Sequence, residues 1–197
     1  MTIDAVSIDA TAFLADFASM STHGATAGGG VDRQAGTQAD GQTRNWFRGL
    51  CEARGFEVRY DRIGNQFALL ELVPGAPYIA IGSHLDSQPS GGRFDGAYGV
   101  LAAAHAAAAV RDALPEDEAE FNIAVVNWFN EEGCRFKPSM MGSSVFTGKL
   151  PAAQVLETTD PHGTTVREAL ESIGTIGDFT LDVAAYLEIH IEQGRSL

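Results

Sequence analysis

Apolar residues at Ile8, Ala12, Phe13 and Phe17 recur at helical spacing, so residues 8–20 read as an amphipathic helix. Residues 39–54 read as a second helix that buries Trp46, Phe47 and Leu50, and Gly55 stands where a left-handed C-cap belongs. A polar, glycine-rich passage at 24–36 separates the two. Residues 56–60 and 66–73 then read as paired strands around the turn Asp61-Arg62-Ile63-Gly64-Asn65. After the break at Pro74-Gly75-Ala76-Pro77, residues 78–83 form a short apolar run, the pattern of a strand buried on both faces. The alanine-rich stretch 97–113 is a strong helix former whose small side chains allow close packing on a sheet. Residues 121–129 read as another buried strand, 165–173 as another helix, and 186–191 as a last buried strand.

Strands alternating with helices predict an α/β fold, with a largely parallel but mixed sheet flanked by helices. In such sheets, ligand-binding residues gather beyond the carboxyl ends of the strands. The chain stops soon after the last strand, with no element to close the sheet, so an incomplete domain is expected.

Composition narrows the function. With 45% hydrophobic and 20% charged residues, the 197-residue chain can bury a core. Its formal net charge of −13 argues against nucleic acid and against anionic membrane surfaces, both of which need clustered Lys and Arg. The N-terminus carries acids where a signal peptide needs positive charge, and no stretch reaches the roughly 18 apolar residues of a membrane span. Cys51 and Cys134 are too few and too far apart for a disulfide framework or a thiolate zinc site. A cytoplasmic protein is expected.

Four segments at strand ends carry the candidate chemistry. In Gly82-Ser83-His84-Leu85-Asp86-Ser87, the His-x-Asp spacing can pair a metal-binding imidazole with a carboxylate that orients it, though such a pair is often merely structural. In Gly91-Gly92-Arg93-Phe94-Asp95-Gly96, Asp95 reads either as a helix N-cap or as a carboxylate whose backbone must come close to something else. Glu131-Glu132 follows a buried strand, and adjacent carboxylates can divide labour, one on a metal and one facing water; a solvated turn is the ordinary alternative. His190, in Glu188-Ile189-His190-Ile191-Glu192-Gln193-Gly194, is either a core histidine or a ligand at a strand end.

Imidazole and carboxylate donors suit zinc, manganese, cobalt or nickel. Two ions about 3.5–4 Å apart need a bridging carboxylate and further ligands on each. Asp95 is the bridge candidate, and His84, Glu132 and His190 are terminal candidates, which leaves one terminal ligand to be found elsewhere.

Taken in order, these segments resemble the hydantoinase/carbamoylase amidohydrolases of the zinc-aminopeptidase-like metallopeptidase superfamily. The likeness runs from Gly24-Ala25-Thr26 and Gly28-Gly29-Gly30 through Ile63-Gly64-Asn65 and the segments around His84, Asp95 and Glu131. It continues through Met141-Gly142-Ser143 to His190-Ile191-Glu192-Gln193-Gly194. Cys134 stands where the family commonly has serine, and Asn130 where it often has a third acid.

The resemblance implies two divalent metal ions, zinc first, with manganese, cobalt or nickel as alternatives. His84 and His190 would hold one ion and Glu132 the other, with Asp95 bridging. Glu131 would be the general base, Asp86 the carboxylate behind His84, and Gln193 a substrate contact. The implied reaction is hydrolysis of the C–N bond of N-carbamoyl amino acids or allantoate-like ureido compounds. An aminoacylase or peptidase of the same superfamily is the alternative. Members are about twice this length and homodimeric, so residues 1–197 are expected to be the N-terminal part of a catalytic domain. The lid and the last histidine ligand would lie outside these residues, leaving the chain inactive or impaired alone.

Overall fold

The computed structural model describes residues 6–115 and 118–192. Five strands form one mixed sheet: β1 (Glu57–Tyr60), β2 (Gln66–Leu70), β3 (Tyr78–His84), β4 (Asn122–Trp128) and β5 (Val183–Leu187). Their spatial order is β1-β2-β4-β3-β5. The β1–β2 and β2–β4 pairs are antiparallel, while β3 runs parallel to both β4 and β5. The carboxyl ends of β3, β4 and β5 therefore share one edge of the sheet, and that edge carries the candidate chemistry.

The helices are α1 (Ala10–Met20), α2 (Gln38–Ala53), α3 (Ala97–Ala113), α4 (Met141–Phe146), α5 (Ala152–Leu156) and α6 (Val166–Ser172). Alternation along the central strands splits the core in two. Ala68, Leu70, Ile123 and Val125 face α1–α3, packing with Phe17, Phe47, Leu101 and Ala104. Phe67, Leu69, Val126 and Trp128 face the other way, toward Phe146 and Phe179. A third cluster, with Ile63, Phe129, Phe136 and Leu170, closes the carboxyl end of β4. Burial of both faces accounts for the continuous apolar pattern of β2 and β4.

Local chemistry sets the element ends. Thr37 caps α2 by accepting from the Asp40 amide, and Thr165 with Glu168 forms a full capping box on α6. Asp61 Oδ1 accepts from the amides of Ile63 and Asn65, which fixes the β1–β2 turn. The second strand stops at Leu70 rather than at 73 because the Asn122 side-chain oxygen captures the amides of Leu72 and Val73.

The last strand departs most from the sequence expectation. It spans Val183–Leu187 instead of 186–191, because its ladder is anchored at the start of β3, where Tyr78 pairs with Val183. Nor is it buried: it is the sheet's edge, with Leu187 53% and Ile189 60% exposed. Its apolar pattern is real but uncovered among the described residues. The short helices α4 and α5 escaped the sequence reading, being too brief for a periodic signal. No helix among the described residues is long and apolar enough to cross a membrane.

Candidate metal centre

His84 closes β3 and is 1% exposed. Its Nδ1 lies 2.9 Å from the Asp86 carbonyl oxygen, which assigns the proton to Nδ1 and leaves Nε2 free to accept. The Asp86 carboxylate is farther off, at 3.7 Å from Nδ1. It instead accepts from the amides of Glu131 and Glu132, at 3.2 and 3.3 Å. Asp86 thus orients His84 through its carbonyl and ties the β3 loop to the β4 loop through its carboxylate.

Asp95 is not a helix cap. Gly96 occupies the N-cap of α3, and no side chain caps that helix. Gly96 has φ 61° and ψ −47°, and a Cβ there would sit 2.4 Å from the His84 ring. The glycine is needed so that the α3 entrance can pass flat against the imidazole. Asp95 is thereby released to face the site, with Oδ1 3.3 Å from His190 Nε2.

His190 follows β5, with Nε2 3.4 Å from His84 Nε2 and the two rings stacked at 5.6 Å. Its Nδ1 lies 2.8 Å from the Ile191 carbonyl, so its Nε2 also points inward as an acceptor. His84, Asp95 and His190 each offer one donor atom, all within 4.8 Å of one another. Two inward-facing imidazole nitrogens and a carboxylate oxygen make a donor set that fits one divalent cation of the zinc type.

Glu131 joins this cluster, with Oε2 3.6 Å from His84 Nε2. Glu132 does not: its Oε2 accepts from Gln88 Nε2 at 3.0 Å. Asn130, held left-handed at φ 51°, turns the chain after β4. Its Nδ2 donates to the carbonyls of Phe136 and Pro138, which shapes the loop carrying both glutamates. Gln193 lies outside the described residues.

Burial first, and neighbouring charges second, shift the local proton affinities. Burial pushes the Asp86 carboxyl up to about 6, against the pull of His84. Burial also raises Glu131, reinforced by Glu132 and Asp95 and opposed by His84 and His190. Burial alone would lower His84, but Asp86 and Glu131 outweigh it, so its pKa is raised.

Several supporting residues gave no sequence signal. Arg33, 1% exposed, donates from Nε to the Leu85 carbonyl, and its amide donates to Ser87 Oγ. It braces the His84 loop from the glycine-rich passage, where Val31 pairs with Gly91. Gln88 holds Glu132. Beside Glu131, a cavity of about 400 Å³ is lined by Trp128, Met140, Phe146 and Tyr186. No periodicity or spacing marks these residues as a group.

Comparison with known proteins gives this geometry a lineage. Residues 80–197, more than half of the chain, match the model of peptidase family M20/M25/M40. The chain is 40% identical over 173 residues to an N-carbamoyl-L-amino-acid amidohydrolase of Rhizobium meliloti, covering 86% of this chain and 41% of that protein. It is 30% identical over 184 residues to an allantoate amidohydrolase of Bacillus subtilis, covering 90% of this chain and 44% of that one. Among solved structures, a hydantoinase/carbamoylase family amidase from Burkholderia ambifaria superposes with a TM-score of 0.92 at 42% identity, over 98% of this chain and 48% of that one. The chain therefore spans less than half the length of these relatives, and it belongs to peptidase family M20/M25/M40.

Proposed function

We propose that this chain is the N-terminal part of the catalytic domain of a metal-dependent amidohydrolase acting on N-carbamoyl amino acids or related ureido compounds. The observation that carries the reading is the convergence of His84, Asp95 and His190 on one point, with Glu131 beside them. The names of the relatives support the substrate class. His84, His190 and Asp95 would hold one ion, and Asp95 with Glu132 would serve a second, Glu132 being held in this structure by Gln88. Zinc fits the donors first, and manganese, cobalt and nickel remain compatible. When bound, the ions supply Lewis acidity at the scissile carbonyl and ease deprotonation of water.

The residues do the proton work. Glu131 accepts a proton from the attacking water at a carboxylate oxygen and later delivers it to the leaving nitrogen. Burial holds its pKa above the ordinary carboxylate value, the direction expected of a carboxylate that takes and returns a proton. Asp86, through the amides of Glu131 and Glu132, fixes where those carboxylates start. Gln193 is assigned to substrate contact.

The test is Glu131→Gln in the complete protein, assayed on an N-carbamoyl and an N-acetyl amino acid side by side. Metal content is retained and turnover of the N-carbamoyl substrate falls by about 10²–10⁴-fold, the usual contribution of a positioned general base. Substantial remaining turnover contradicts the assignment of Glu131. Preference for the N-acetyl substrate in the unmutated protein contradicts the substrate class.

A further inference from the structure

Two imidazoles must meet at one edge of the sheet, yet backbone pairing stops short of both. The β3–β5 ladder ends at the Ile81–Leu187 pair, three residues before His84 and three before His190. The segment bearing His190 then runs across the first turn of α3. A Cβ at Gly99 would lie 2.3 Å from the Ile189 carbonyl oxygen, so only glycine admits this crossing. Close passage allows the approach but does not fix it.

A chain of side-chain hydrogen bonds takes over where the ladder ends. Ser83 Oγ, on the buried residue next to His84, donates to Glu188 Oε1 at 2.5 Å. The Tyr186 hydroxyl donates to Glu188 Oε2 at 2.9 Å. Trp128 Nε1 donates to the Tyr186 oxygen at 3.0 Å. One carboxylate thus gathers hydrogen bonds from β3 and β5, and through Tyr186 from β4. Without Glu188 the buried Ser83 hydroxyl loses this partner, and the exposed arm beyond Leu187 loses one side-chain tie to β3.

We propose that Glu188 is a positioning residue: it clamps the exit of β5 onto β3 and so sets the separation of His84 and His190 for a shared divalent ion. The proposal rests on the metal reading above and goes beyond it, because Glu188 donates no atom to the cluster. Glutamine can serve in its place. Its carbonyl oxygen accepts from Ser83, and its amide donates to the Tyr186 oxygen while that hydroxyl turns to the Gly82 carbonyl, 3.2 Å away.

The experiment titrates cobalt(II) into the metal-free full chain, following visible absorption, with the melting temperature of the metal-free protein measured alongside. Glu188→Ala weakens cobalt binding by about tenfold or more, the usual effect of removing a partner that orients a ligand. Its metal-free melting temperature stays near that of the unmutated chain. Glu188→Gln restores the affinity. Ser83→Ala weakens binding in the same direction, and the Ser83→Ala, Glu188→Ala pair is no weaker than Glu188→Ala alone, since both cut one link. Unchanged affinity in Glu188→Ala overturns the clamp. So does a glutamine variant as weak as alanine, or a melting temperature that falls in step with affinity. If the unmutated chain binds no cobalt, or His84→Ala binds it equally well, the metal reading itself has failed and the clamp falls with it.

Discussion

The two imidazoles of the site are held in opposite ways. His84 sits at the buried end of a central strand, 1% exposed, with Asp86 and Arg33 bracing its loop and Gly96 against its ring. The His190 side chain is 40% exposed and follows an edge strand whose outer residues face solvent. One half of the site is therefore an extension of the hydrophobic core. The other is an arm tied down by individual polar contacts. Burial makes the first half costly to disturb, whereas the second can shift with little change in global stability.

The largest effect is expected at the His84 wall. Gly96→Ala must place a Cβ against the imidazole in a backbone conformation that L-residues rarely adopt. Strain and overpacking together cost about 3 kcal/mol, and cobalt binding by the full chain should be lost as well. Chemical denaturation reads the first and a cobalt titration the second. An alanine variant that is as stable and binds as well as the unmutated chain would remove the claim that the glycine shapes this wall.

Next comes the buried amide that joins β3 to its neighbours. Asn127 Oδ1 accepts from the Leu85 amide at 2.8 Å, and its Nδ2 donates to Gln66 Oε1 at 3.1 Å. Asn127→Ala leaves both partners buried and unpaired, costing about 2 kcal/mol in denaturant unfolding. A change near zero would mean that the core half is less rigid than its hydrogen bonding indicates.

A smaller, pH-dependent effect belongs to Asp160, between α5 and α6, which pairs with Arg135 in the loop after β4. Burial tends to raise Asp160, but the Arg135 guanidinium and the amides of His162 and Thr164 outweigh it and hold the carboxyl below the ordinary range. A lowered carboxylate pKa stabilises the fold above the unfolded value of about 3.9 and loses that contribution as pH falls through the folded value. Melting curves between pH 5 and pH 3 should show Asp160→Asn losing less stability on acidification than the unmutated chain. Parallel pH profiles would contradict this.

The smallest effect is expected on the arm itself. Leu187→Ala, at a position 53% exposed, should change stability by no more than about 0.5 kcal/mol. A loss of several kcal/mol would show that the edge strand is part of the core after all and dissolve the contrast between the two halves.

What the sequence made legible follows the same division. The alanine-rich helix, the Thr165-capped helix and the strand leading to His84 were readable: helix propensity marks the first and a continuous apolar run the last. Of the strand-end residues the sequence singles out, His84, Asp95 and His190 lie together with Glu131 beside them, whereas Glu132 is turned to Gln88. The extent of β5 was misjudged because Ile189 and Ile191 continue an apolar pattern that the ladder does not follow. Arg33, Gln88 and the Ser83–Glu188–Tyr186 chain were invisible as partners, since they act across sequence separations of more than fifty, forty and a hundred residues. Contacts between single polar side chains leave no period in a sequence. Only the folded chain shows that Gly96 faces His84 or that Gly99 admits Ile189.

Whether both halves meet on one ion is read from an anomalous difference map at the zinc edge, using crystals of the complete protein grown with zinc. One peak is expected about 2.0–2.2 Å from His84 Nε2, His190 Nε2 and an Asp95 oxygen together. Zinc bound only elsewhere, or touching His84 while His190 points away from it, would overturn the shared site.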